Sequence, residues 1–180
     1  GDFNPIIIQP AWLSSKGLIR EAEAQNAKVE LIHNQISKFE IQWASFEITN
    51  KRFEIRSQQE PYFEPLRDLA ISIFEILNET PMTSFGINHI KHFSLRDSNQ
   101  YYEFGNKIAP LNNWDSFLTN PRLLQIEILE PKRPGEHNGN FRIRIAPSEK
   151  ELNIQNGISF NINDHFENSF PKSGNATELI

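Results

Sequence analysis

The chain has no cysteine among its 180 residues. Disulfides, thiolate nucleophiles and cysteine-built zinc or iron–sulfur centres are excluded together. That composition suits a reducing compartment. Apolar runs are short, and none approaches the roughly 18 residues of a membrane-spanning helix. The opening Gly1-Asp2-Phe3-Asn4-Pro5 is not a charged segment leading into the apolar core of a secretory leader. The expectation is a cytoplasmic protein with no membrane partner, and the sequons Asn78-Glu79-Thr80 and Asn175-Ala176-Thr177 read as chance.

Basic residues are also in the minority. Lys and Arg number 18 against 23 acidic residues, a net charge of −5. Nonspecific nucleic-acid affinity comes from clustered cations, so this balance argues against nucleic acid as the main partner. Glycine-rich phosphate loops are missing, as are the serine elbow of hydrolases and the Ser-x-x-Lys arrangement in a matching context. No cofactor is signalled. Valine and methionine are almost absent, with Val29 and Met82 the single instances, while Ile and Asn abound. That texture reads as codon bias from an AT-rich bacterial genome.

What is present supports a packed core. Hydrophobic residues make up 38% and aromatics 11%, with 14 Phe. Enough large apolar surface exists to offset chain entropy. The length suits one domain, expected over residues 1–167, followed by a polar tail over 168–180 that ends in the hint of a helix.

Phe3 to Pro10, an apolar run between prolines, reads as an edge strand. Ala11 to Gln25 is loosely helical, interrupted by Gly17. Lys28 to His33 alternates as a strand. A longer strand then places Phe39, Ile41 and Trp43 on one face, but Phe46 and Ile48 are even-numbered. Side-chain direction has period two in a strand, so this shift predicts a bulge near Ala44-Ser45 or an apolar stripe on both faces. Asn50-Lys51 separates two further runs. A two-residue loop there pairs Ile48 with Phe53 and Phe46 with Ile55, with Glu47 opposite Glu54 and Arg52 and Arg56 compensating.

Phe63, Leu66, Leu69, Ala70, Ile73 and Leu77 predict one long helix from Pro61 or Tyr62 to Asn78. Thr83 to Leu95 reads as a strand, Asp97-Ser98-Asn99-Gln100 as a turn, and Pro110 to Leu118 as a short helix. Leu124 to Ile128 and Phe141 to Ile145 alternate as strands. Leu152 to Ile154 and Ile158 to Ile162 read as a hairpin around Asn156-Gly157. The resulting fold class is α+β, a mainly antiparallel sheet with one long helix and one or two short helices packed on it.

Candidate chemistry is sparse. His89 and His92 form the most suggestive local cluster. On a helix they share a face, but on the predicted strand they point apart and hold no metal jointly. Asp164 and His165 supply further ligand or acid–base groups. No catalytic residue is assigned. Lys132, Arg133, Arg142 and Arg144 form either a basic platform near Tyr101 and Tyr102 or a strand face paired with Glu127 and Glu130. Trp43, Trp114 and Phe117 are interface candidates, because two apolar stripes would need a second cover. The leading expectation is a non-catalytic interaction or assembly module, a homo-oligomer or the subunit of a protein partner. A small-ligand domain with a cavity between sheet and long helix ranks second, and a hydrolase-type enzyme with a His/Asp site third.

Overall fold

The computed structural model describes residues 1–150 and 157–167. They form an α+β fold with two four-stranded antiparallel sheets, in two compact units, Gly1–Ser84 and Phe85–Glu167. No helix among the described residues is long and apolar enough to cross a membrane.

The first unit carries α1 (Pro10–Ser15), α2 (Glu21–Gln25), β1 (Lys28–Ile32), β2 (Ile36–Glu40), β3 (Ser45–Thr49), β4 (Phe53–Arg56) and α3 (Phe63–Ile76). Its sheet runs in chain order, β1-β2-β3-β4. The long strand expected through residues 39–48 is instead a hairpin. The Ile41 amide donates to the Ala44 carbonyl at 2.8 Å, closing a turn at Gln42-Trp43. Phe39 then lies opposite Phe46, and Ser37 opposite Ile48. A two-residue turn pairs odd residues with even ones, so the parity shift that suggested a bulge is the mark of the turn. Phe39, Ile41, Phe46 and Ile48 are all buried. The rings of Phe39 and Phe46 stack with centroids 4.5 Å apart. One apolar face results, and no second cover is required for it.

The next hairpin keeps the expected register. The Thr49 amide donates to the Arg52 carbonyl at 2.7 Å, and Phe46 faces Ile55, Ile48 faces Phe53 and Glu47 faces Glu54. The repulsion between those carboxylates is offset by Arg52 and Arg56, which approach Glu54 at 2.7 and 2.5 Å. α3 buries Leu69, Ala70, Ile73 and Phe74, and Phe74 meets Phe53 edge-on at 5.0 Å. Pro65 sits in its first turn, where a missing amide costs no helical bond.

Phe3 to Pro10 is not an edge strand. It forms turns leading into α1. Pro5 and Pro10 remove ladder donors, and the Asn4 side chain accepts the Ile6 amide at 3.2 Å, a local bond that competes with a strand. Gly17 adopts φ 70°. In that left-handed conformation it ends α1, with the Leu18 amide reaching back to the Leu13 carbonyl at 2.9 Å.

The second unit carries β5 (Ser84–Ser94), α4 (Ser98–Ile108), β6 (Ile126–Glu130), β7 (Gly139–Pro147) and β8 (Gly157–Glu167). Its strand order is β5-β8-β7-β6. Tyr101 of α4, Ile145 and Ile158 form its buried core, flanked by Phe104, Ile108, Ile126, Ile143 and Phe160. The turn expected at Asp97–Gln100 is instead the start of α4. Asp97 caps it by accepting the Gln100 amide at 2.9 Å. Pro110–Leu118, expected as a short helix, contributes a single 3₁₀ turn, Leu111–Trp114. Of the expected closing hairpin, Leu152 to Ile154 lies outside the described residues. Ile158 pairs with Pro147 of β7.

Candidate functional site

The histidines sit on strands, and strand geometry disperses them. β5 carries both His89 and His92. Three residues apart on a strand, they face opposite sides of the sheet. β8 carries both Asp164 and His165, which as neighbours also face opposite sides. Each face of the sheet therefore carries only one residue of each pair. Among the described residues, no group of three His, Asp or Glu side chains could hold a metal ion.

The surroundings of these residues differ. His92 Nδ1 lies 2.8 Å from the Ser148 Oγ. Ser148 is 1% exposed, and its Oγ also accepts the Lys150 amide at 3.3 Å. A serine beside a histidine resembles a nucleophile with its base, but Ser148 is almost wholly buried. The pair instead satisfies a buried polar group at the end of β7. His165 Nδ1 stands 3.9 Å from where a Cβ on Gly86 would lie. His89 is exposed.

Asp164 is committed to Arg133. The guanidinium forms a fork, Nε to Oδ1 at 2.6 Å and Nη2 to Oδ2 at 2.9 Å. It also lies 3.9 Å from the centroid of the Phe166 ring. The hydrogen bonds it donates to Asp164 push the Arg133 guanidinium above its ordinary pKa. The connection is locked further by the Arg133 amide on the Gly139 carbonyl and the Glu167 amide on the Asn138 carbonyl, both 2.9 Å. The planar charge match holds the β6–β7 loop to β8. This arrangement has the form of a latch. Arg142 lies 3.2 Å from Glu127, and Arg144 faces Glu127 in the ladder. The strand cations are therefore set among carboxylates.

A cleft of about 340 Å³ lies beside α4, lined by Asn99, Tyr102, Asn106, Asn120, Arg122 and Leu123 among others. Arg122 stacks on the Tyr102 ring at 3.2 Å from its centroid. The Tyr101 hydroxyl donates to the Leu123 carbonyl at 2.8 Å, which fixes the far wall. Burial pushes the Tyr101 phenol up from its ordinary pKa. The small-ligand reading placed its cavity beside the long helix; this cleft lies against α4. Sequence reasoning missed α4 itself, although Asp97-x-x-Gln100 ahead of Tyr101, Phe104 and Ile108 is a helix-start signature.

The three interface candidates differ in setting. Trp43 occupies the β2–β3 turn, half-buried. It stacks on Tyr62 at 5.2 Å and donates its indole N–H to Glu23 at 2.8 Å. Trp114 and Phe117 are 54% and 81% exposed, with Leu118 beside them at 52%. Comparison with protein-family models, with curated proteins and with solved structures finds no match for this chain.

Proposed function

We propose that the chain is a non-catalytic assembly module of a bacterial cytoplasm that self-associates through its second unit. One observation carries this reading. Trp114, Phe117 and Leu118 stand within five residues of one another and are each more than half exposed. Clustered large apolar side chains seldom stay in water on soluble monomers, and Trp is favoured at interface centres. Asp164 held by Arg133 and the nearly complete burial of Ser148 support binding over catalysis.

A second reading rests on the cleft beside α4. Its lining holds Arg122 and several asparagines but no carboxylate. A small anionic molecule suits that chemistry.

Light scattering at micromolar concentration tests the leading reading. The expected mass exceeds the 20.9 kDa of one chain. Trp114→Ala and Phe117→Ala should each weaken association by about tenfold, the value of roughly 1.4 kcal/mol at a contact. A strict monomer whose hydrodynamic behaviour neither substitution changes would sink the reading.

A further inference from the structure

The two edges of the second sheet carry opposite chemistry. Among the described residues, β5 and β6 are each paired on one side only, at the ends of the order β5-β8-β7-β6. β5 holds Lys91 and two histidines and no acidic residue, while β6 holds Glu127 and Glu130 and no basic one. Both edges also show apolar side chains to solvent: Ile90 and Phe93 are 57% and 50% exposed, Ile128 and Leu129 51% and 52%. Lys91 has no ion pair among the described residues, and Glu130 receives only the Lys132 amide, at 3.3 Å. Open edges with unpaired backbone N–H and C=O groups are templates for strand addition, and opposite charge on the two edges selects which edge meets which.

We propose that copies of this chain join head to tail, β6 of one copy adding to β5 of the next. The inference rests on the self-association reading above and names its geometry. β6 runs antiparallel to β7 and β7 to β8. The ring contacts Phe85–Phe166 and Phe93–Phe160 show that β5 runs antiparallel to β8. β5 and β6 therefore point in opposite directions. A copy repeated in the same orientation brings them together as an antiparallel pair and continues the pattern of the sheet.

Side-chain faces agree as well. Ile128 lies opposite Ile143, and Ile143 opposite Ile162. Ile162 shares its face with Phe160, which meets Phe93. One register thus sets Ile128 against the next copy's Phe93 and Glu130 against its Lys91, an apolar pair and an ion pair on a common face. Pairing like edges would instead line carboxylates against carboxylates or cations against cations, which charge repulsion disfavours. A joint between different edges makes a ring if it closes and a filament if it does not.

Sedimentation velocity on the full chain across a concentration series tests this, using Lys91→Glu and Glu130→Lys. Wild type should associate beyond a dimer or close into a ring. Each reversal alone should weaken association roughly tenfold by setting like charges across the joint. An equimolar mixture of the two variants should regain wild-type assembly, because every mixed joint again pairs opposite charges. Recovery on mixing requires both variants to be folded, so it separates a lost joint from a lost fold. Three results overturn the inference: a monomeric wild type, association indifferent to both reversals, or a mixture no better than its components. Association indifferent to charge but lost in Trp114→Ala would leave the assembly reading standing and remove this joint.

Discussion

The two units have nearly equal spans and bury their apolar residues very differently. Among the described residues, fourteen buried hydrophobics belong to Gly1–Ser84 and four to Phe85–Glu167. The first sheet is a meander in which each strand pairs with the next, joined by tight turns. In the second, β5 pairs with the last described strand, and the chain between β5 and β6 carries α4 and the exposed Trp114, Phe117 and Leu124. Local pairing brings apolar faces together cheaply, because little loop entropy is lost. Distant pairing leaves long connections to cover the sheet, and here they leave large side chains in water. Among the described residues, most of the buried apolar side chains therefore lie in the first unit, and the second leaves more of its large ones exposed.

The largest test of that contrast is Phe46→Ala. Phe46 is 1% exposed and stacked on Phe39, so truncation should cost about 3–5 kcal/mol. Hydrogen exchange should show lost protection across β2 to β4 with β7 and β8 keeping theirs. Equal loss in both sheets would break the contrast. Asp164→Ala should have an intermediate effect. It leaves the Arg133 fork without its acceptor, and the amides of Arg133 and Glu167 should exchange faster while β2 to β4 are unchanged. Tyr101→Phe should cost about 1 kcal/mol, one hydrogen bond to the Leu123 carbonyl. Its pH dependence has a definite sign. The folded phenol is raised, so its contribution is complete below the unfolded value near 10 and is lost as pH rises above it. Thermal melts through that alkaline range should fall less steeply for Tyr101→Phe than for wild type. The smallest effect belongs to Arg67→Ala. Arg67 pairs with Asp68 on the exposed surface of α3, and melts should be nearly unchanged.

The contrast also sorts what sequence reading recovered. The Thr49–Arg52 hairpin was legible because loop length and alternation together leave one register that sets Phe46, Ile48, Phe53 and Ile55 on one side. The Gln42-Trp43 turn was misread, since it lacks the Gly or Asn that usually marks a tight turn, and only its parity shift betrayed it. α4 was misread for the opposite reason, because Asp97-Ser98-Asn99-Gln100 is turn-like in composition but is a helix cap in position. At the candidate site, the divergence of His89 and His92 followed from strand period alone. The Arg133–Asp164 latch did not, because its members are 31 residues apart and nothing local links them.

Composition and local period by themselves determined the α+β class, the long helix, the hairpin register and the absence of cysteine chemistry. Those properties depend on neighbours along the chain, where side-chain direction and turn geometry leave few choices. Tertiary structure alone decided that β5 closes against β8, that Ser148 answers His92, that Asp164 takes Arg133, and that Trp43 is packed while Trp114 is exposed. The first three of these are pairings across long stretches of chain. Many distant partners are chemically equivalent there, and only the packing of the whole sheet selects one.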